Sequence, residues 1–209
     1  MARKVHTNPR KSASQERSRL TVNTILEATT RVLVKEGYDR ASTNKIAAVA
    51  GVSIGSLYQY FPSKEALVAA VSERHSQEVL RLIRNALVKV AARPIEAAAR
   101  EFVSVAIDAH RVNPKLHRVL AEQVPRIGRL ENVEAINHDV LALIRGYLDV
   151  HRDEIGVADL DIAALICVTA VDALTHTAVL RNPDILTDGK AEEFVDEVTK
   201  LVVRYLQKS

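Results

Sequence analysis

Tryptophan is absent from this chain of 209 residues, and cysteine and methionine occur once each. The lone Cys167 excludes an intrachain disulfide and any paired-cysteine metal site. Its setting, LICVTAV, suits a buried thiol better than a reactive one. Seven glycines and six prolines leave long uninterrupted stretches, and β-branched alternation between turns is missing, so the natural reading is an all-α fold. No apolar run approaches the ~20 residues that a membrane span requires. The N-terminal stretch MARKVHTNPRKSASQERSR lacks the apolar core of a secretory signal. The expectation is a cytoplasmic protein that keeps clear of membranes. Also missing are a Gly-rich phosphate loop, a G-x-S-x-G elbow and an H-E-x-x-H helix, and Cys167 has no base or basic neighbour in its segment. We therefore expect no enzyme, no catalytic residue and no cofactor.

What is present is apolar mass and an uneven charge. Apolar residues make up 47% of the chain, enough for a sizeable core. The net charge of +3 conceals a division: residues 1–65 carry eleven Lys and Arg against five Asp and Glu, and the remainder carries eighteen against twenty-one. The basic excess lies beside the stretch TNKIAAVAGVSIGSLYQYF, Thr43 to Phe61. Cations concentrated in this way displace the counterions condensed on nucleic-acid phosphates, although a charge run is also what a merely solvated face looks like.

The Thr43–Phe61 stretch reads as a helix-turn-helix. Ile46, Ala47 and Ala50 share one face of a first helix, with Thr43, Asn44 and Lys45 on the other. Gly51 ends it where a left-handed residue is wanted. Ser53 caps a second helix whose first turn, Gly55 and Ser56, is bare enough to approach a surface closely. Leu57 and Phe61, four apart, face inward together. Gln59, Tyr60 and the Gly55/Ser56 edge then face outward or sideways, with Tyr58 on the shoulder. Glutamine reads adenine through two bonds in the major groove, and tyrosine hydroxyls reach phosphate oxygens. Pro62 closes the element, and Ser63 caps the next helix with Lys64 at its first position. There a cation opposes the helix dipole unless an outside anion compensates. The same spacing also fits an ordinary αα-hairpin whose tyrosines only pack.

The run IAAVAGVSIGSLYQYFPSKEAL, Ile46 to Leu67, closely resembles the DNA-binding signature of the TetR family of bacterial transcription regulators. The match covers Ile46-Ala47, Ala50-Gly51-Val52-Ser53, Gly55, Leu57-Tyr58, Phe61, Lys64-Glu65 and Leu67. Gln59 and Tyr60 depart from it, where many members carry an aromatic residue followed by histidine. The family's operators are therefore not carried over. The resemblance implies a homodimer that holds a double-stranded, palindromic DNA operator and is released by a small-molecule effector, which we expect to be mainly apolar. It also implies that the fourth helix links effector to head, and that the last two helices pair with their copies. Within the head, base reading falls to Gln59 with Ser53, Gly55, Ser56 and Tyr58 at the groove edge, and phosphate contacts to Thr43, Tyr60 and Lys64.

Three segments organise the chain: a basic, flexible arm at 1–17, the DNA-binding head at 18–63, and a helical ligand-binding and dimerisation body at 64–209. About nine helices are expected. The first, capped by Ser18, ends at Gly37, with Val22, Ile25, Leu26, Thr29, Val32 and Leu33 on one stripe. A long fourth helix runs from Ser63 toward Ala92. Others follow at about 94–111, 114–123, 130–152, 158–180 and 190–207. The run DIAALICVTAVDALTHTAVL is apolar around most of its circumference, which suits burial on more than one side.

Polar groups embedded in the body are candidate effector contacts: His110, His117, Gln123, Tyr147, Asp172 and His176, with His138 beside them. Asp172 and His176, at i and i+4, can meet on one face. A metal site is the sharper alternative, since His110 and His117 are seven apart across a break and His176 could join them, but no paired-Cys or H-x-x-x-H spacing fixes their geometry and no metal is expected. Two other classes stay open: a non-specific DNA-organising protein, and a small-molecule sensor acting through a protein partner.

Overall fold

A left-handed backbone at Gly51 (φ 68°, ψ 28°) separates two short helices, and its amide donates to the carbonyls of Ala47 and Ala48. In the computed structural model, which describes residues 16–123, 131–187 and 189–207, these belong to an all-helical chain. The helices are α1 (Glu16–Arg40), α2 (Thr43–Ala50), α3 (Ile54–Tyr60), α4 (Lys64–Val90), α5 (Ile95–Arg111), α6 (Pro114–Gln123), α7 (Glu131–Val150), α8 (Leu160–Arg181) and α9 (Lys190–Leu206). Short 3-10 turns occupy Arg152–Glu154 and Pro183–Leu186. The basic arm, apart from the start of α1, lies outside the described residues. So do the break around Pro125 and the side chain of Gln123.

The described residues divide into two compact units. One runs to His75 and takes in Lys115–Val133; the other comprises Ser76–Pro114 and Glu134–Ser209. In the first, Ile25, Val32 and Leu33 of α1 pack with Ile46 of α2, Leu57 of α3, Phe61, and Leu67, Val68 and Val71 of α4. α6 joins this core through Leu116 and Leu120, which its i, i+4 spacing brings onto one face. Thr29 is fully buried, and its hydroxyl is satisfied by donating to the Ile25 carbonyl at 2.8 Å.

In the second unit α5 packs against both α8 and α9. Val103 and Ile107 of α5 meet Ala178 of α8, Leu186, and Val195 and Val198 of α9. A neighbouring cluster joins Ile95, Ala98, Leu148, Ala163, Ala164, Val202 and Leu206. At the rim Arg100 of α5 pairs with Asp196 and Glu192 of α9. Asp196 foremost holds its guanidinium above the ordinary arginine range. The group is too exposed for these pairs to contribute much stability.

Three expectations change. Ser18 does not cap α1, which begins earlier, at Glu16; its hydroxyl instead accepts from Tyr60 at 3.4 Å. Gly37 breaks α1 (φ 76°) as its spacing suggests, but helical backbone resumes through Arg40. The third concerns membranes: α8 is long and apolar enough, by length and composition, to cross one. Asp172 and His176 interrupt the run in sequence, yet the 22-residue helix around them is dominated by Ala, Ile, Leu and Val.

Candidate nucleic-acid interface

The outer surface of α3 is built from its two ends. Ser53 is the N-cap, its hydroxyl accepting from the Ser56 amide at 3.1 Å and lying 2.8 Å from the Ser56 hydroxyl. At the other end Phe61 leaves helical geometry, although its amide still donates to the Leu57 carbonyl at 2.9 Å. Leu57, Tyr60 and Phe61 are buried between these ends. This leaves Ser53, Ile54, Gly55, Tyr58 and Gln59 exposed, with Ser56 half-buried. Gly55 and Gln59 stand four apart on the same face. A Cβ built on Gly55 would meet only the Ser53 hydroxyl, at 3.9 Å, so the protein's own packing does not demand glycine there. The bareness of that turn is a property of the outer surface.

Tyr60 corrects the outward placement expected of it. It lies three residues after Leu57 and so shares the inward face, where its ring is buried and its hydroxyl reaches Ser18. That spacing is legible in the sequence; a preference for pairing Leu57 with Phe61 alone hid it. Tyr58 takes the shoulder as expected, its hydroxyl 3.1 Å from that of Thr43 on α2. This bond ties the two helices of the motif together at their outer edge.

Lys64 is half-buried. Its ammonium donates to the Tyr38 carbonyl at 3.0 Å and sits 3.9 Å from the centre of the Tyr38 ring. Tyr38 in turn donates to Glu65 at 3.1 Å. Burial, reinforced by the Glu65 charge, pushes its phenol up to about 12. Lys64 therefore has a structural partner before any phosphate arrives, and Tyr38 is a contributor that the motif spacing does not point to. Lys45, on the outer side of α2, pairs with Glu36 and also donates to the Arg40 carbonyl at 3.1 Å.

Several body candidates have partners within their own unit. In the first unit, Nδ1 of His117 lies 3.1 Å from Nε2 of His75. In the second, Nε2 of the buried His110 lies 3.5 Å from Oδ1 of Asp172, and the His110 and His176 rings stand edge to face with centres 5.6 Å apart. Asp172 of α8 thus faces His110 of α5. Tyr147 donates to the Arg93 carbonyl at 2.8 Å and stacks on His151. Burial foremost pushes its phenol up to about 12. The Tyr147 ring helps line a shallow apolar depression of ≈ 310 Å³ with Leu87, Val88, Ala91, Gly146 and Val150. His138 is exposed on α7. Burial pushes the Cys167 thiol up to about 11, which suits an inert core residue.

Comparison with known proteins adds to this geometry. Residues 25–71 match the model of bacterial regulatory proteins of the tetR family, and residues 94–206 match that of the tetracyclin repressor-like C-terminal domain. An uncharacterized HTH-type transcriptional regulator of Mycobacterium tuberculosis is 36% identical over 117 residues, 55% of this chain and 56% of that protein. The nucleoid occlusion factor SlmA of Haemophilus ducreyi is 31% identical over 113 residues, 54% of this chain and 52% of that protein. The chain thus spans about half the length of these curated relatives. Among solved structures, the transcriptional regulator FadR of Bacillus subtilis in complex with stearoyl-CoA has the same fold. It has a TM-score of 0.68 at 21% identity, covering 88% of this chain and 99% of that one.

Proposed function

The chain belongs to the TetR family of bacterial regulatory proteins, and from that premise we propose that it is a cytoplasmic repressor of transcription, holding a palindromic operator as a homodimer. The observation that carries this reading is the outer face of α3, exposed at Ser53, Gly55, Tyr58 and Gln59 and seated on buried Leu57, Tyr60 and Phe61. A rigid support below and bare backbone above suit insertion into a major groove. Gln59 reads a base edge, Ser53, Gly55 and Ser56 line the groove wall, and Thr43 and Tyr58 grip phosphate through their paired hydroxyls. Lys64 contributes charge while its ammonium rests on Tyr38. Tyr60 acts from inside, fixing the end of α3 on α1. The head is assigned to residues 18–63 and the body to 64–209.

Dimerisation is assigned to α8 and α9, and the effector is a small, mainly apolar molecule taken up by the body. The likeness to a regulator solved with stearoyl-CoA supports an acyl-bearing class, with Tyr147 the candidate beside apolar wall. By linkage, an effector that weakens operator binding must bind the DNA-free protein more tightly by the same factor.

Two substitutions test the DNA reading without touching the core. Gln59→Ala costs about 1 to 3 kcal/mol on the operator and relaxes preference at one base step. Gly55→Ala should raise head stability, by up to about 1 kcal/mol from helix propensity, yet weaken operator binding because a methyl group enters the closest approach. Fluorescence anisotropy on operator and random duplexes, with thermal melts alongside, reads both. Wild-type operator affinity in Gly55→Ala would remove α3 from the groove. A DNA-organising role is the second reading, favoured by the likeness to a nucleoid occlusion factor. It requires random DNA to compete as well as the operator does.

A further inference from the structure

The exposed side of α3 is not polar throughout. Ile54, its first residue, is 37% exposed, and Tyr58, one turn on, is 41% exposed. Standing four apart, they share one edge of the outer arc, while Gly55 and Gln59 share the other. The Tyr58 hydroxyl lies 3.1 Å from that of Thr43, which fixes its ring at the surface. Ile54 and Tyr58 therefore form an apolar edge beside the bare backbone of Gly55. Folding does not ask for isoleucine there. Branched at Cβ, it is a weaker helix former than Ala, Leu or Lys, and its exposed carbons gain little from the core. A lone exposed apolar side chain is ordinary on a protein surface, but this one lies on the arc that is read as entering the groove.

We propose that Ile54 packs on the C5-methyl group of a thymine in each half-site, so that the head reads thymine by apolar contact in addition to the base read by Gln59. This rests on the operator reading, in which α3 enters the groove. Thymine is the base whose major-groove edge carries an apolar group, and the other three present hydrogen-bond donors and acceptors there. A helix laid in that groove reaches base edges mainly through its first residues, and Ile54 opens α3. Its side chain has no polar atom with which to bond a base, so a methyl group is the feature that it fits. Cytosine at the same place would set an amino donor against the isoleucine with no partner for it, and that desolvation is costly. Ile54 and Gln59 then read by different chemistry from the two edges of one short helix.

The test uses the full chain and the duplexes that it selects from a randomised library. In the selected operator each thymine is replaced in turn by deoxyuridine, which removes the methyl group and keeps every hydrogen-bonding atom. At one symmetry-related pair of thymines this should weaken wild-type binding by about fourfold per half-site, the worth of one buried methyl group, and by about fifteenfold in both. Ile54→Ala should bind the thymine and uracil operators equally at that pair. Ile54→Val, which keeps the branch, should retain most of the preference. Val49→Ala trims another exposed apolar side chain of the motif and should leave the uracil effect intact. Neither Ile54 nor Val49 is buried, so all three variants should keep the wild-type circular dichroism. Tolerance of uracil at every thymine, a uracil effect that persists in Ile54→Ala, or one lost in Val49→Ala would each overturn the assignment while leaving a sequence-specific DNA reader in place. Selection of no sequence at all would sink the operator reading, and the methyl contact with it.

Discussion

Replacing Ile162 and Leu165 together with glutamate should convert the proposed dimer into 23 kDa chains and abolish tight operator binding, while the fold survives. The argument rests on what α8 leaves uncovered. Its inner face buries Leu160, Ala163, Ala164 and Cys167, yet Ile162 is 51% exposed and Leu165 53%. Ile166 and Leu174 on α8 and Leu201 on α9 are also exposed. An apolar stripe of this kind costs free energy in water until something covers it. In the proposed dimer a second copy covers it symmetrically, so each substitution counts twice. Covering a half-exposed Ile or Leu contributes about 1 kcal/mol, from about 1.5 to 3 kcal/mol for a whole side chain. Two positions on two chains give about 4 kcal/mol, or roughly a thousandfold in the dissociation constant. Sedimentation of wild type and variant measures it. The variant stays folded because neither position is buried within its own chain, so its helical circular dichroism should match the wild type. Dimers persisting undiminished would move the interface away from α8. Operator binding is lost because a lone head grips one half-site and forgoes the other.

Phe61→Ala should have the opposite signature, with the dimer intact and the head unfolded. Phe61 is 2% exposed and, among the described residues, the largest of the fully buried side chains. Truncating such a residue costs about 3 to 5 kcal/mol, through lost transfer energy and the cavity left behind. A whole domain has only about 5 to 15 kcal/mol in hand. The core of the first unit draws on Leu57 and Phe61 at the same point, so little else can close the gap. Thermal unfolding should separate into an early step for the head and an unchanged later step for the body. DNA binding should vanish at temperatures where the sedimentation coefficient still reports a dimer. Gln59→Ala provides the contrast, weakening DNA without moving either step. A single, unshifted transition in Phe61→Ala would mean that the head does not depend on this core.

The elements of the head were readable because their signals are local. Gly51 stops α2 by a backbone conformation that glycine adopts without strain, and Ser53 starts α3 through a hydroxyl three residues from its donor. Helices α4, α5, α8 and α9 follow from periodicity and punctuation within a few residues. Cys167 as an inert core thiol was readable from its neighbours alone. Direction across a helix was less legible. The three-residue step from Leu57 already allows Tyr60 to face inward, but that its hydroxyl finds Ser18, 42 residues away, is decided by the tertiary structure.

Sequence by itself determined the helices, their order, the basic concentration in the first third of the chain and the polarity of the α3 surface, because each depends on residues within a turn or two of one another. Tertiary structure alone decided that Lys64 lies over Tyr38, that α6 lends Leu116 and Leu120 to the core of the first unit, and that Asp172 meets His110. Those pairings join residues far apart in the chain. They are selected by which surfaces pack together, and no local spacing encodes that choice.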